Sequence, residues 1–347
     1  MRDHGLAYNR TRPECESLPL PARIERISHW LRHDLGFPNF ELTPASSDAS
    51  FRRYFRISFD EGTRIVMDAP PEKEDIGPFI KVARLMEGLG LHVPHILEEN
   101  HDEGFLLLSD LGTEQYLAHL NEESVGHLYG DALDALADLQ TRGPRDDELP
   151  PYDRTLLLRE MELFREWFLG RHLQLPLSQE DHQLLNAGFD LLADSALEQP
   201  RVTVHRDYHS RNLMVSDPNP GILDFQDAVI GPLTYDLVSL LKDCYIAWPR
   251  QWVEQWALGF HDIVLEAGLT DMREQGEFLR WFDLMGAQRH LKAIGIFARL
   301  NIRDGKPGYV NDIPRTLNYL RDVASRYRDL RPLSEFIENR VVPRVSF

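Results

Sequence analysis

Apolar residues at Ile24, Ile27, Leu31 and Leu35 recur at helical spacing and predict a first helix over 24–35. An extended segment starts at 40–42. A turn-type cluster follows at 46–50, and a partly alternating, aromatic-rich strand is expected over 51–59. A β-like run at 64–69 stops at Pro70-Pro71, and acidic residues lead into a helix over 78–89. Two strands, 96–99 and 105–109, flank a polar turn at 100–104. Beyond Gly112 the character changes and long helical patterns dominate. Long helices are predicted over 125–140, 155–169 and 178–199, then a β-rich insert at 202–227, then helices to the end, including one over 279–303. The order is a β-rich first lobe of about 110 residues and a mainly helical second lobe interrupted by a hairpin-like insert. No internal repeat or low-complexity stretch is present.

The 347 residues suffice for two lobes, and the 42% hydrophobic fraction supports a full core. The net charge of −18 argues against nucleic acid, because phosphate backbones require a basic surface. No apolar run approaches the length of a membrane span. Residues 1–21 carry charges and prolines without an apolar centre, so they are expected to be a loose tail and not a secretory signal. Cys15 and Cys244 have no pairing pattern, which fits a reducing cytoplasm.

The chemistry concentrates in 202–227. His205-Arg206-Asp207 lies between short β-like runs, and Asn212 follows the aspartate by five residues. A carboxylate placed to take a hydroxyl proton, with an amide oxygen one loop-width away for a metal on phosphate, is the arrangement of a kinase catalytic loop. A Pro/Asn/Gly turn at 217–221 then leads back to Leu223-Asp224-Phe225, where a hairpin would return a second carboxylate to the same metal. Taken alone, a His-Arg-Asp triplet arises by chance and Asp224 could be a strand-end turn residue. Triplet, asparagine spacing, hairpin and aspartate together are far more specific.

On these residues the chain resembles the aminoglycoside phosphotransferase-like kinases, which include choline and homoserine kinases. Its members carry His-x-Asp-x-x-x-x-Asn, then Ile-Asp-(Phe/Trp), then Gly-Pro followed by Asp. Here these read His205/Asp207/Asn212, Leu223-Asp224-Phe225, and Gly231-Pro232 with Asp236. Segments 47–56, 66–71, 105–112 and 288–292 are similar to one branch, the kinases that phosphorylate N-acetylmuramic acid and N-acetylglucosamine at carbon 1. The resemblance implies a protein-kinase-like α+β bilobal fold with ATP and Mg2+ in the cleft. It assigns Asp207 as base, Asn212 and Asp224 as metal ligands, and Asp236 as a brace of the catalytic loop. The product would be a sugar 1-phosphate feeding peptidoglycan precursor synthesis.

Two departures from the family pattern stand out. The turn expected to cradle phosphate, Ser47-Asp48-Ala49-Ser50, has no glycine, although small residues still permit backbone N–H groups to approach an anion. Arg53 is the candidate cation beside it; on alternating strand positions only one of Arg52 and Arg53 can face a ligand. Met67 occupies the strand position where a kinase presents its lysine, so a cation would come from Arg52 or Arg53 or from Lys81 on the next helix, unless Lys81 is simply solvated. A non-catalytic nucleotide-binding protein is the alternative that Met67 raises; the complete Asp207, Asn212 and Asp224 set argues against it. Ser109, Asp110 and Leu111 fall in the expected hinge, where backbone groups hold adenine.

The acceptor pocket is expected in the helical lobe. His205 and Asp207 would stand beside it. Gln288, Lys292, Gly295 and Arg299 share one helix face at i, i+4, i+7 and i+11, giving a cationic stripe on a mostly apolar helix. Internal ion pairing would explain such a stripe equally well. Trp248, Trp252, Trp256 and Trp281 offer a sugar-stacking surface or, at helical spacing, core. The expected organisation is a tail at 1–21, a nucleotide lobe at 22–112 and a catalytic lobe at 113–347. The expected partner is a small amino sugar; neither nucleic acid nor membrane is expected, and the chain is expected to be a monomer. A kinase for another hydroxyl acceptor (aminoglycoside, choline or homoserine) remains the alternative.

Overall fold

The computed structural model describes residues 20–46 and 51–345. The chain divides into two compact units. One contains the residues up to Gly77 and Ile96–Asp110; the other contains Pro78–His95 and everything from Leu111 onward.

The first unit is a helix on an antiparallel sheet. Helix α1 (Leu20–His29) runs on through a wider turn, Trp30–Asp34. Strands β1 (Glu41–Ser46), β2 (Arg53–Phe59), β3 (Gly62–Asp68), β4 (Ile96–Asn100) and β5 (Phe105–Ser109) form a five-stranded sheet in the order β1-β2-β3-β5-β4. Side chains alternate across the pleat, so Phe55, Ile57, Val66, Phe105 and Leu107 meet Ile27, Trp30 and Leu31 in one core. Gly104 closes the β4–β5 turn at φ +69°; its carbonyl accepts from Ala69 N at 2.9 Å, and a Cβ there would sit 2.0 Å from the Ala69 oxygen.

The second unit begins with α2 (Gly77–Gly88), whose Phe79 packs on Phe225 with ring centroids 4.9 Å apart. After the short α3 (Tyr116–His119) come α4 (Val125–Arg142), α5 (Arg154–Leu163) and α6 (Gln179–Leu197). Asp153 caps α5 by accepting from Leu156 N at 2.8 Å, and Ser178 with Asp181 forms a reciprocal capping box on α6. The polar insert is two small antiparallel pairs. Strand β6 (Arg201–Val204) pairs with β9 (Val229–Pro232), and β7 (Leu213–Met214) pairs with β8 (Gly221–Ile222). Helices α7 (Tyr235–Leu241), α8 (Arg250–Glu266), α9 (Gln275–Ile302), α10 (Ile313–Arg326) and α11 (Arg331–Phe336) complete the unit. Helix α9 is central: it packs on α5, α6, α7, α8 and α10 and is buried on nearly all sides between Phe278 and Leu300. Gly295 allows its closest approach, because a Cβ there would lie 2.3 Å from the Leu163 carbonyl carbon where α5 widens into the turn Phe164–His172.

Candidate active site

Strand β6 delivers the chain into a loop, 205–212, fastened by two buried carboxylates. Asp236, at the start of α7, accepts from His205 N at 2.6 Å and Arg206 N at 2.9 Å. This holds Arg206 at φ +78°, a conformation costly for a residue with a Cβ. Asp243 accepts from Ser210 N at 3.0 Å and Ser210 Oγ at 2.5 Å, with its other oxygen on Tyr245 N at 2.9 Å. The His205 ring is fully buried. Its Nε2 donates to the Leu223 carbonyl at 3.0 Å and its Nδ1 accepts from Asp207 N at 3.2 Å. Neither nitrogen is left for a ligand, so His205, expected beside the acceptor, instead ties β6 to the strand end carrying Asp224.

The hairpin β7–β8 returns the chain so that Leu223 N donates to Asn212 O at 2.9 Å. Asn212 and Asp224 thus stand together, with 3.4 Å between Nδ2 and Oδ2. The Asn212 amide nitrogen also donates to the Asp207 carbonyl at 3.0 Å, which orients the amide and leaves its oxygen as an available donor to a cation. Asp224 lies at φ +61° and accepts from Gln226 Nε2 at 2.9 Å. Among the described residues no three His, Cys, Asp or Glu side chains gather as a metal cage. One carboxylate and one amide oxygen are, however, the hard donor set that suits magnesium whose other ligands are phosphate and water.

Beside Asp207 the second unit has a pocket lined by Tyr235, Cys244, Tyr245, Arg289 and Lys292, with His209 at one side. Ala293, Ile296 and Phe297 of α9 give it an apolar wall. Lys292 donates to Tyr235 Oη at 2.9 Å and pairs with buried Glu160 at 3.3 Å; Glu160 also takes Arg206 and the Tyr152 hydroxyl. Burial alone would push the Asp207 carboxyl up, but Lys292, His209, Arg289 and Arg206 override it and hold it at about 2. The carboxylate is therefore ionised throughout the neutral range.

The expected stripe on α9 separates in space. Lys292 reaches the pocket. Gln288 is wholly buried, with Nε2 3.5 Å from Tyr152 Oη. Arg299 lies seven residues beyond Lys292, about 10 Å further along the helix axis, and is absent from the pocket wall. The residues that do line it (Arg289, Lys292, Ala293, Ile296 and Phe297) follow i, i+3, i+4, i+7, i+8. Arg289 was missed because Gln288 drew the stripe one position off; its spacing to Lys292 was the available signal. Trp248, Trp252 and Trp256 cluster on Tyr129, with Trp248 Nε1 donating to Tyr129 Oη at 3.0 Å, so the aromatic surface of the pocket is Tyr235, Tyr245 and Phe297 instead. Trp281 is buried core.

Of the expected nucleotide residues, Ser47, Asp48, Ala49 and Ser50 lie outside the described residues. Arg53 opens β2 opposite Asp68 and donates to its carboxylate at 2.5 Å; Arg23 takes the other oxygen of this buried group. Met67 is fully buried. The strand that would carry a kinase lysine thus presents, one residue later, an aspartate that grips an arginine. Lys81 is exposed and donates to the Glu148 carbonyl. Asp110 accepts a bidentate contact from Arg56 at 2.6 and 2.9 Å, which leaves backbone as what this segment offers a base. Ser109 ends β5 opposite Arg64, and Leu111 packs over Gly221.

The buried titrating groups make a pH prediction. Burial pushes His205 down to about 4 and His290 down to about 3. Unfolding returns both to the ordinary value of 6.5, so between pH 4 and 6.5 the unfolded chain binds two more protons at these positions. Asp236 acts in the opposite sense. Burial, aided by Asp207, raises it from 3.8 to about 7 against the pull of two backbone N–H groups, so over this range the folded chain holds one proton more. For these three groups the balance is one extra proton on the unfolded side, so they lower stability by about 1.4 kcal/mol per pH unit as the pH drops from 6.5 to 4, and His209 and His172, also lowered by burial, act in the same sense. Urea midpoints measured from pH 7.5 to 4.5 should decline along this limb; a flat profile would show that the two histidines are not buried neutral.

The antiparallel sheet with its helix, the helical unit and the catalytic loop define a kinase-like phosphotransferase. Residues 41–275 match the family described as "Phosphotransferase enzyme family", and the chain belongs to that family. It is 46% identical over 325 residues to the N-acetylmuramate/N-acetylglucosamine kinase of Pseudomonas putida, covering 91% of this chain and 96% of the relative. It is 44% identical over 313 residues to the protein of that name from Neisseria meningitidis, covering 89% and 93%. Among solved structures it is similar in fold to the GDP complex of aminoglycoside 2'-phosphotransferase-IIIa, with TM-score 0.59, 15% identity and coverage of 87% and 99%. A choline kinase from Cryptosporidium parvum gives TM-score 0.59 at 12% identity, covering 91% and 100%. The α+β protein-kinase-like fold expected from the motifs is the one observed.

Proposed function

We propose that this chain is an ATP-dependent kinase that phosphorylates the anomeric hydroxyl of N-acetylmuramic acid and N-acetylglucosamine. The identity with curated kinases of that name over about nine-tenths of the chain carries the reading. The pocket supports it: a cationic, aromatic-walled site beside Asp207 suits a neutral or acidic sugar and disfavours choline or an aminoglycoside, whose positive charges would face Arg289 and Lys292.

In this reading Asp207 orients the acceptor hydroxyl and accepts its proton as the hydroxyl oxygen bonds to the γ-phosphorus and the bond from that phosphorus to the bridging oxygen breaks, releasing ADP. A hemiacetal hydroxyl is more acidic than an ordinary alcohol, so a carboxylate of low basicity suffices. Asn212 and Asp224 would hold magnesium, which when bound supplies charge neutralisation on the transferring phosphates. His205, Asp236 and Asp243 keep the loop in place while charge develops. Arg53, held by Asp68, is the strand-borne cation that would serve phosphate where Met67 cannot. The product is the sugar 1-phosphate, a precursor for nucleotide-sugar and peptidoglycan synthesis.

The test is ADP formation by the purified protein with N-acetylmuramic acid, N-acetylglucosamine, kanamycin, choline and homoserine, with phosphorus NMR of the product. Turnover confined to the two N-acetylated sugars, with phosphate on carbon 1, is expected. Turnover on a cationic acceptor alone would keep the fold and defeat the substrate assignment.

A further inference from the structure

Among the described residues, buried Lys and Arg side chains are matched by carboxylates, with one exception. Arg23 is paired with Asp68, Lys242 with Asp283 and Lys292 with Glu160. Arg289 is only 5% exposed, yet among the described residues it has no carboxylate within ion-pair distance; its contact is from Nη1 to Cys244 Sγ at 3.6 Å. The nearby acids have other work. Asp243 is spent on Ser210 and Tyr245, and Asp207 is reserved for the acceptor hydroxyl. A guanidinium buried without an anionic partner is expensive, and this one lines the pocket that holds Asp207.

We infer that Arg289 is the specificity residue that pairs with the carboxylate of an acid-bearing acceptor sugar, and so sets the preference for N-acetylmuramic acid over N-acetylglucosamine. The inference rests on the proposed amino-sugar kinase activity and adds to it the residue that tells the two substrates apart. The planar fork of a guanidinium matches a carboxylate in a bidentate way, and the low-dielectric surroundings strengthen the pair. Lys292 is a poorer candidate because Glu160 and Tyr235 already satisfy it. The apolar wall of Ala293, Ile296 and Phe297 offers a surface for the methyl groups of the lactyl and acetamido substituents. N-acetylglucosamine, which lacks the carboxylate, would bind with Arg289 unpaired and would be the weaker substrate.

The experiment measures kcat/KM for three acceptors: N-acetylmuramic acid, its neutral methyl ester and N-acetylglucosamine. The wild-type protein is compared with R289Q and R289K. Wild type is expected to favour the acid over its ester by about thirtyfold or more, the scale of a desolvated charge pair. In R289Q that ratio should collapse toward one, with partial recovery in R289K. The loss should be concentrated on the acid, so the acid-to-N-acetylglucosamine ratio shifts by a similar factor. Equal loss on all three acceptors would overturn the inference, because Arg289 would then act on the shared chemistry at Asp207. Should R289Q fail to fold, the wild-type protein alone decides: equal kcat/KM for acid and ester refutes the inference. Failure of wild type to use either N-acetylated sugar would defeat the substrate reading and this inference with it, whereas turnover of both sugars with an unchanged ratio in R289Q defeats only the inference.

Discussion

Asp207→Asn is expected to lower turnover of the acceptor sugar by about 10^3-fold, within the range a positioned general base contributes, while the KM for ATP changes little. The amide keeps the shape of the carboxylate, and the loop does not depend on the Asp207 side chain for its form. Its backbone carbonyl receives Asn212 Nδ2 and His209 N, both at 3.0 Å, and its backbone N–H donates to His205. What disappears is the only acidic side chain lining the pocket among the described residues. A carboxylate held at about 2 by Lys292, His209, Arg289 and Arg206 is a weak base, so in the proposed role it would take its proton late, when the hydroxyl has already begun to bond to phosphorus. It also means that no acid limb from Asp207 should appear in kcat above pH 4. Initial rates of ADP release, with circular dichroism as the folding control, check both points. A variant retaining a tenth of wild-type turnover would remove Asp207 from the base role.

The strands and long helices were legible because their residues have one simple task. In β2, partial alternation separates one face from the other, while β3 and β5 are short apolar runs; in α4 and α6 an apolar stripe marks position, and Ser178 caps the start of α6. The hairpin that brings Asp224 to Asn212 was legible from its turn residues, 217–221, and the pairing Leu213 with Ile222 bears it out. Helix α7 falls among the helices expected after the insert, but its bounds were not legible: all seven of its residues are buried, so it has no amphipathic period. Strand β9 follows the predicted insert and finds its partner, β6, across 24 residues that no local pattern spans.

The acceptor side was read less well, for a related reason. Helix α9 is buried nearly all round, so its apolar period does not say which face meets the pocket. Polar residues had to supply the phase, and Gln288 misled it toward Arg299 and away from Arg289. Glu160 and Tyr152 gave no signal. Glu160 satisfies Lys292 and Arg206, residues 132 and 46 positions away, and Tyr152 donates to Glu160; only the folded chain shows that. His205 was misread because the motif puts it two residues from the base, whereas burial turns both ring nitrogens onto backbone.

The loop geometry itself depends most on Asp236, and Asp236→Ala is expected to cost about 4 kcal/mol of stability together with at least a hundredfold in turnover. The variant leaves the buried N–H groups of His205 and Arg206 without an acceptor, at about 1–3 kcal/mol each. It also releases the hold on Arg206 at φ +78°, a conformation of order 1–3 kcal/mol that persists only while its surroundings enforce it. Relaxation of Arg206 would carry its guanidinium from Glu160 and shift the adjacent Asp207, so activity should fail before the fold does. Asp236→Asn separates these contributions. It removes the charge whose burial pushes the carboxyl up to about 7, a gain, but offers one acceptor where two N–H groups need one each. Urea midpoints should therefore rank wild type, then Asp236→Asn, then Asp236→Ala. The asparagine variant should also lose the opposing proton, so its stability should decline more steeply than wild type on acidification from pH 6.5 to 4. An alanine variant with a wild-type midpoint would mean that the loop finds its conformation unaided, and the strain at Arg206 would then have to be held by Glu160 alone.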